Sequence, residues 1–536
     1  MARKGSRKVR TGCLTCKIRK VKCDEAKPDC QRCTTAGRKC DGYAPPKPEP
    51  GLQTYRPRHG VNTAAEGRAL QFFSETAGPF LSGAMDPQFW TQLVMRFSSF
   101  EPAVRHSVVA ISSLYEQIHV DARSAVEVQL SDNQLALRHY NAAINDLKAM
   151  DNPSVVLLVC ILFTCIECLQ SNREAAIRHC KAGIAIMQNV ASVHPWTKEH
   201  LLPIFRRLSI VPFFFGTGAT DFPSLGAWDD RVPTVFASFS DAQAMVDDIF
   251  CRTVRLVRWG YAHRTGGLRH QPVSMQLLAE QKRIGARLEQ WHVLFADFET
   301  ALTSPTTPVS QHFNLGQDYL NQMLRKFLLI RYEVCRIWSE LAFSADETDY
   351  DVHLDSFRSL VTMAKSLAIV PEGSRVTTRS PKFIFETGFT PMLFFVVCKC
   401  RCLDTRLAAL RLIKVLGVPR ENLWEVSTIY AVGRRVIEIE HDVVSDDMGR
   451  PLVPPSCSGL PPDHMRVRDT STETQATIHQ NMLGFEVHGR IVSFAMRTLD
   501  DTIYMHTEFL SSRPNGECSE NTRPKVPIRR ARKLER

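Results

Sequence analysis

The sequence predicts a mainly α-helical protein in which a small cysteine-rich N-terminal module is joined by a proline-rich linker to a large helical domain. Six of the 17 cysteines fall between residues 13 and 40, and five prolines follow between residues 41 and 65. From about residue 66, apolar residues recur at helical spacing. With 536 residues, 44% of them hydrophobic and 23% charged, the chain is long enough for two or more domains.

The cysteine-rich segment has a duplicated spacing that predicts a two-metal cluster. It reads C-x2-C-x6-C-x6-C-x2-C-x6-C, which is one C-x2-C-x6-C unit written twice. A C-x2-C pair lets one turn of chain present two thiolates to a zinc ion at about 2.3 Å. Six thiolates cannot fill two separate tetrahedral sites, but they suffice if two sulfurs bridge both ions. The six candidate ligands are Cys13, Cys16, Cys23, Cys30, Cys33 and Cys40.

Two other interpretations of the six cysteines are weaker. A disulfide framework needs a secretory context, whereas the opening residues MARKGSRKVRTGC are basic and lack the apolar core of a signal peptide. Reduced cysteines without metal would leave the duplicated spacing unexplained. The other eleven cysteines are scattered, which suits a reducing compartment.

The segment CLTCKIRKVKCDEAKPDCQRCTTAGRKC resembles the fungal Zn2Cys6 binuclear zinc cluster, a DNA-binding module of transcription regulators. The resemblance implies that Cys13 and Cys30 bridge two Zn2+ ions. Cys16 and Cys23 would complete one zinc site, and Cys33 and Cys40 the other. Double-stranded DNA is then the expected partner and the nucleus the expected location.

The two halves of the segment differ in charge. KIRKVK, between the second and third cysteines, holds four cations, whereas TTAGRK, between the fifth and sixth, holds two and a helix-weakening glycine. Ile18 and Val21 lie three residues apart, which predicts a helical face packed on the metal core while the four cations point outward. The first half is therefore expected to face the DNA.

Base-reading and phosphate-contacting roles follow from the resemblance by position. In the family, the short helix after the second cysteine enters the major groove and reads a CGG-type triplet. Arg19 and Lys20 are the expected base readers, and Lys17 and Lys22 the expected phosphate contacts. Lysine or arginine can donate to guanine O6 and N7. Phosphate contacts add salt-dependent affinity without sequence information.

The net charge of +11 is concentrated at the two ends of the chain. Residues 1–50 carry +9 and residues 522–536 carry +6, which leaves −4 for everything between them. Residues 1–12 are predicted to be a basic arm and residues 511–536 a basic disordered tail. Contact with a polyanion at the ends would explain this distribution, as would nuclear import signals or solvated tails.

Residues 41–65 are predicted to be a semi-rigid linker with no core of its own, because proline favours extended polyproline structure. Many relatives of the cluster follow it with a heptad coiled coil that sets dimer symmetry. No run of apolar a and d positions follows here. Any homodimer is therefore expected to be held through the helical domain downstream.

Residues 66–510 are predicted to form one large α-helical domain. Stretches such as FETGFTPMLFFVVCKCRCLDTRLAALRLI and LALRHYNAAINDL resemble the fungal-specific regulatory domain that accompanies the cluster. RIVSFAMR and TIYMHTEF alternate well enough to predict a C-terminal β-hairpin. The acidic segment 344–357 is interpreted as an exposed loop, with an activation segment as the alternative, and residues 442–478 as a flexible insertion.

The sequence predicts no enzyme and no membrane partner. It contains no P-loop, H-E-x-x-H, nucleophile elbow or dinucleotide fingerprint. Its longest apolar run, Val155 to Ile166, suits a buried core helix better than a membrane span.

These observations predict a sequence-specific DNA-binding regulator of RNA polymerase II genes with CGG-type half-sites, acting with the transcription machinery. Control of a metabolic gene cluster is expected from the habits of the family. The alternative is a zinc-stabilised protein-interaction module without sequence-specific DNA binding. That alternative explains the six cysteines but not the four cations of KIRKVK.

Overall fold

The structure is a computed structural model that describes much of the chain in two compact units, one within residues 1–61 and one within residues 62–536. The described ranges are 12–43, 63–83, 88–118, 120–121, 124–125, 128–189, 196–215, 233–303, 315–368, 380–446, 448–455, 459–473, 477–480 and 486–511. The predicted basic arm, apart from residue 12, most of the linker and nearly all of the basic tail lie outside these ranges.

The described residues are mainly α-helical, which confirms the predicted fold class. The first unit contains α1 (Leu14–Ile18) and α2 (Gln31–Thr34). The first helices of the second unit are α3 (Ala64–Phe72), α4 (Gly78–Leu81), α5 (Met95–Ser98), α6 (Pro102–Gln117), α7 (Gln134–Lys148), α8 (Pro153–Leu169), α9 (Arg173–Asn189), α10 (Leu202–Leu208) and α11 (Val211–Phe215). They are followed by α12 (Phe239–Trp259), α13 (Tyr261–Arg264), α14 (Met275–Thr303), α15 (Leu315–Glu340), α16 (Leu354–Leu367), α17 (Thr390–Lys399), α18 (Leu403–Leu416) and α19 (Val426–His441).

Helix α8 forms the most apolar part of the core. Asn152 caps it by accepting a hydrogen bond from the Ser154 N–H, and Pro153 stands at its first position, where a missing N–H costs nothing. Nearly every side chain from Val155 to Leu169 is buried, and the helix packs against α6 and α9. The run therefore forms the buried core helix that its length predicts.

A second group of helices is built around α12. Its N-terminus has a capping box, in which the Ser238 side chain accepts from the Asp241 N–H and the Asp241 carboxylate accepts from the Ser238 N–H. Helix α12 packs against α10, α14 and α15. The Trp291 indole N–H donates to the Ala242 carbonyl at 2.8 Å, which fixes α14 on α12.

The predicted C-terminal hairpin is present and belongs to a larger sheet. Strands β8 (Glu486–Arg497) and β9 (Ile503–Ser511) pair antiparallel, with Arg497 opposite Ile503. The strands β6 (Asp469–Thr472) and β7 (Thr477–Gln480) pair with β8 on its other edge. Alternate β8 side chains, Val492, Phe494 and Met496, pack on α19, because a strand turns every second residue to one face.

Short strands complete the described β structure. Two form a small antiparallel pair, and three form a sheet that brings distant parts of the second unit together. They are β1 (Val120–Asp121), β2 (Ser124–Ala125), β3 (Phe383–Ile384), β4 (Arg420–Glu421) and β5 (Trp424–Glu425), and they precede β6 in the chain. Strand β3 is parallel to β4, which is antiparallel to β5.

The interpretation of the acidic segment 344–357 as an exposed loop is wrong. Residues Glu347–His353 form a 3-10 helix in which Glu347 and Tyr350 are buried. The Glu347 carboxylate accepts hydrogen bonds from Lys399 and Arg401, each at 2.9 Å. Glu347 thus neutralises two cations that lie beneath the segment.

The flexible insertion expected over residues 442–478 is also more ordered where it is described. Arg466 is buried, and it donates two hydrogen bonds to the Asp351 carboxylate at 2.8 and 2.7 Å. Arg401 and Arg406 both contact Glu440 nearby, so the acidic segment, α18, α19 and this insertion share one buried ionic network.

Among the described residues, no helix is both long and apolar enough to cross a bilayer.

Candidate metal centre

Each half of the cysteine-rich unit starts with a helix that begins at a cysteine. Cys13 caps α1, because its sulfur accepts a hydrogen bond from the Cys16 N–H at 3.3 Å. Cys30 stands in the equivalent position before α2. One helical turn separates the first and second cysteine of each pair, which turns both sulfurs of the pair toward the centre of the unit.

The six sulfurs lie in two groups of four that share two members. One group contains Cys13, Cys16, Cys23 and Cys30, and the other contains Cys13, Cys30, Cys33 and Cys40, with all ligand atoms of a group within 4.8 Å of one another. The residues common to both groups are Cys13 and Cys30. All six sequence-predicted ligand residues are therefore brought together, in the sets that the resemblance implies.

The spacing of the sulfurs suits tetrahedral zinc. A tetrahedron with metal–sulfur bonds of about 2.3 Å has sulfur–sulfur edges of about 3.8 Å. The Sγ atoms of Cys13 and Cys30 are 3.6 Å apart, those of Cys16 and Cys30 are 3.6 Å apart, and those of Cys13 and Cys33 are 3.8 Å apart. These three pairs match the edge length of a four-sulfur site, and the Sγ atoms of Cys16 and Cys33, which belong to different groups, are also 3.8 Å apart.

The thiols perturb one another strongly. Burial alone would raise the pKa of Cys13, but hydrogen bonds with Cys16, Cys30 and Cys40 together outweigh it and lower that pKa to about 6. Burial and the neighbouring Cys13 thiol raise the pKa of Cys16 to about 12, and burial raises the pKa of Cys30. Packing six thiolates this closely is costly without positive charge, and zinc supplies that charge.

Two backbone N–H groups and a hydroxyl around Cys23 form a second layer of contacts. Its sulfur lies 3.4 Å from the N–H groups of Cys13 and Glu25 and 3.7 Å from the Tyr43 hydroxyl oxygen. The Tyr43 hydroxyl donates its proton to the Ala26 carbonyl at 2.7 Å, so that its oxygen faces the Cys23 sulfur. Such groups orient metal ligands and tune their charge.

Tyr43 was missed by the sequence reasoning, which assigned it to the linker. The signal for it was the single aromatic residue that closely follows Cys40 in an otherwise proline-rich stretch. Its ring packs against the cysteines, so the compact part of the cluster continues to residue 43.

At the other end of the predicted linker, Thr63 caps α3, and the helical region begins at Ala64 rather than residue 66.

Backbone and side-chain contacts hold the two halves together. The Thr15 hydroxyl donates to the Asp41 carboxylate at 2.7 Å, and the Asp41 N–H donates back to that hydroxyl at 2.9 Å. The Asp24 carboxylate accepts from the Arg32 N–H at 2.9 Å, near the N-terminus of α2. These links join each helix to the opposite half, which fixes the relative position of the two C-x2-C pairs.

The four cations of the first half are all exposed, as predicted. Lys17 lies in the last turn of α1, Arg19 is its C-cap, and Lys20 and Lys22 follow directly. The Lys20 backbone adopts a left-handed conformation with φ of 55°, which ends the helix. The cations therefore lie on one short helix end and the turn after it.

The predicted apolar face of this helix is wrong. The helix ends at Ile18, whose side chain is 79% exposed, and Val21 is exposed as well. Helical periodicity does not reach Val21, because the left-handed Lys20 reverses the chain direction between them. The cysteine sulfurs, rather than these side chains, provide the core of the unit.

The first unit matches a known family. The profile of the fungal Zn(2)-Cys(6) binuclear cluster domain matches residues 11–50. A domain of this family binds two zinc ions. No solved structure matches the chain.

Curated relatives extend the similarity beyond the cluster. The aspercryptin biosynthesis cluster-specific transcription regulator atnN of Emericella nidulans is 24% identical over 411 residues, which cover 67% of this chain and 64% of atnN. The transcription regulator lscL of Purpureocillium lilacinum is 28% identical over 32% of this chain and 48% of its own length. The Zn(2)-C6 fungal-type transcription factor afumD of Aspergillus fumigatus is 30% identical over 26% of this chain and 42% of its own length.

The chain thus spans about two thirds, half and two fifths of the lengths of these three relatives. Three findings agree with one another. The sulfurs form two overlapping groups of four, the family profile matches that same segment, and the relatives are all named as transcription regulators or factors. They show that residues 11–50 are a fungal Zn(2)-Cys(6) binuclear cluster domain and that the chain is similar to fungal transcription regulators.

Proposed function

We propose that this protein is a nuclear transcription regulator that binds double-stranded DNA through its zinc cluster. One observation carries the proposal: four exposed cations follow one another along the end of α1, next to a cluster of six convergent cysteines. Positive side chains on a small rigid module provide the electrostatic contact that DNA binding requires. No catalytic constellation competes with this function in the sequence.

In the proposed cluster, Cys13 and Cys30 bridge two Zn2+ ions. Cys16 and Cys23 complete the coordination of one ion, and Cys33 and Cys40 that of the other. The two groups of sulfurs that share Cys13 and Cys30 support this assignment. The zinc has a structural role, since the unit has few apolar side chains of its own and metal binding supplies folding free energy.

Within the DNA interface, Arg19 and Lys20 read base edges, while Lys17 and Lys22 contact phosphates. Arg19 and Lys20 form the tip at which α1 ends, which supports their reaching furthest into a groove. Guanine offers them the O6 and N7 acceptors of the major groove. A CGG-type half-site upstream of RNA polymerase II genes is the target that this division of roles favours.

The regulated genes belong to a biosynthetic gene cluster in this proposal, because the relative atnN is named as cluster-specific for aspercryptin biosynthesis. The helical unit would contact the transcription machinery. It would also hold a homodimer together if one forms, because no heptad pattern follows the zinc cluster.

A second function has one observation in its favour. Leu14, Ile18 and Val21 are exposed apolar side chains beside the cations. Exposed apolar groups can mark a protein contact, so the cluster would then act as a zinc-stabilised interaction module. Salt separates the two functions, because only DNA binding has a log-affinity that falls steeply with log-salt.

The test is selection of bound duplexes from a random pool by the full-length protein, followed by titrations at several salt concentrations. We expect enrichment of CGG-like triplets. Lys20→Ala should reduce the preference for the selected site over random DNA more than Lys17→Ala, which should mainly lower the salt slope. Equal affinity for all duplexes, with a slope near zero, would support the interaction module instead.

A further inference from the structure

The second unit contains a cavity of about 610 Å³ between helices α10, α12 and α14. Cavities of roughly 300–1,000 Å³ are typical of sites for small molecules. The residues that line it come from the end of α10, the C-terminal half of α12 and the first turns of α14. Three separate helices thus converge on one space of ligand size.

Arginines outnumber carboxylates around this cavity. The charged side chains that line it are Arg206, Arg252, Arg255, Arg283, Asp248 and Glu280, four cations against two anions. Both carboxylates already bind arginine. Asp248 lies 3.1 Å from Arg252 and 3.2 Å from the nearby Arg287, and Glu280 pairs with Arg252 and Arg283. The lining therefore keeps an excess of positive charge.

Arg255 is the most deeply placed of these cations. It is only 7% exposed, and its guanidinium lies 4.9 Å from the centre of the Phe213 ring. Burial lowers the pKa of Arg255. The pKa of Arg252 is instead raised, because Asp248 and Glu280 more than offset its burial.

Apart from Ser209 and Gln276, the rest of the lining is apolar or aromatic. Trp259, at the end of α12, is 44% exposed and offers a flat face, and Leu277 and Ala279 lie across from α12 on α14. The first turn of α14 also contributes Gln276, and the N-terminal end of a long helix carries partial positive charge. A ring can stack on tryptophan while an oxyanion binds arginine.

We propose that this cavity binds a small molecule in which an oxyanion, a carboxylate or phosphate, is attached to a planar apolar body. Arg255 and Arg283 would bind the oxyanion, and Trp259 would stack on the planar body. This inference goes beyond DNA binding and does not depend on it.

Calorimetric titration of the full-length protein tests the site with four probes. Salicylate and phenyl phosphate each have a ring and an oxyanion, 2-hydroxybenzyl alcohol has the ring alone, and inorganic phosphate has the oxyanion alone. We expect one saturable site for salicylate or phenyl phosphate. The two probes that lack one part should bind at least tenfold more weakly, because a charge-assisted hydrogen bond or a stacked ring is lost. The tighter of the two ring anions distinguishes a carboxylate from a phosphate ligand.

Variants locate the site. Arg255→Gln should weaken the binding of the better probe about tenfold or more, and the exposed Arg283→Gln about threefold. Arg178→Gln is the matched control, because Arg178 is an exposed arginine that also pairs with an acid on its own helix. It should change nothing. Circular dichroism checks folding, and Arg283→Gln serves as the test if Arg255→Gln does not fold.

Three results would overturn the proposal. One is the absence of saturable binding for both ring anions. Another is equal affinity for 2-hydroxybenzyl alcohol or inorganic phosphate, which would remove the need for one part of the ligand. The last is an equal effect of Arg283→Gln and Arg178→Gln, which would place binding outside the cavity.

Discussion

Lys20 and Gly37 occupy equivalent positions in the two halves of the zinc cluster, and both have left-handed backbone, with φ of 55° and 62°. The Lys20 N–H donates to the Lys17 carbonyl and the Val21 N–H to the Cys16 carbonyl. The Gly37 N–H and the next N–H make the same pair of bonds to Thr34 and Cys33. This pattern ends a helix at a left-handed residue and favours glycine there.

The first half thus has a lysine where the second half has glycine, the residue that a left-handed backbone conformation favours. A left-handed conformation costs a non-glycine residue about 1–2 kcal/mol. The side chain of Lys20 is exposed and contributes no packing to offset that cost. Retention of lysine at this position is consistent with a role in binding rather than in folding.

We predict that Lys20→Gly stabilises the cluster while it weakens DNA binding. Resistance of bound zinc to a competing chelator should rise slightly, because about 1 kcal/mol of backbone strain is removed. Affinity for the selected duplex should fall at least tenfold, since the proposed base contact of Lys20 is lost. Lower zinc retention together with unchanged DNA affinity would contradict both parts.

Gly37→Ala is the matched control for the backbone effect. A Cβ added at Gly37 meets no atom within 4 Å, so the substitution introduces only the left-handed strain. Zinc retention should fall by about 1 kcal/mol. DNA affinity at saturating zinc should stay within about twofold of the parent, because no cation is removed.

We predict that Cys30→Ala releases both metal ions. Cys30 belongs to both groups of sulfurs, so its loss leaves neither ion with four ligands. Cys40→Ala, which affects one group, should release one ion more readily than the other. Native mass spectrometry or metal analysis of the full-length protein gives the count, and two retained zinc ions in Cys30→Ala would rule out the bridging role.

We predict that Tyr43→Phe weakens zinc retention without unfolding the helical unit. The substitution removes the hydroxyl that contacts the Cys23 sulfur and the Ala26 carbonyl but keeps the ring against the cysteines. Loss of such an outer contact typically lowers metal affinity about 10- to 100-fold. Chelator competition measures the effect. Affinity equal to that of the parent would show that Tyr43 contributes only its ring.

Glu421 predicts a pH-dependent stability of the helical unit. The carboxylate is fully buried between β4 and the start of α17, and it accepts hydrogen bonds from Gly388, Thr390 and Val418. Burial outweighs these bonds and raises its pKa from the ordinary value of 4.5 to about 7. Between these pH values, the folded protein holds a proton that the unfolded chain releases, so this group's contribution to stability falls as pH rises.

Glu421→Gln should remove that dependence, because an amide stays neutral. The free energy of unfolding of Glu421→Gln, minus that of the parent, should increase by about 3 kcal/mol in total as the pH rises from 4.5 to about 7. Urea titrations followed by circular dichroism at several pH values measure it. The exposed Glu174→Gln is the control, and a constant difference between Glu421→Gln and the parent would show that Glu421 does not titrate in this range.

Local patterns predicted a large part of this protein. The cysteine spacing predicted which six residues converge, because a C-x2-C pair on one helical turn fixes two sulfurs whatever follows it. Helical periodicity predicted the mainly α fold, and alternation predicted the hairpin of β8 and β9. The expected packing of Ile18 and Val21 failed because a single left-handed residue, Lys20, breaks the periodicity between them.

Contacts between distant segments were beyond these patterns. Asp351 and Arg466 lie 115 residues apart in the chain, and their pairing turns an apparently exposed acidic segment into part of the core. The cavity with Arg206, Arg255 and Arg283 exists only because three helices meet there.

The sequence by itself therefore determined the two-metal cluster, its cationic half and the helical class, since these depend on one spacing repeated between Cys13 and Cys40 or on neighbours within a few residues. Only the tertiary structure decided that Tyr43 reaches Cys23, that Glu347 and Glu440 neutralise buried arginines and that a cationic cavity forms. The reason is physical: burial and charge pairing depend on which helix faces meet, and each helix alone is compatible with many partners.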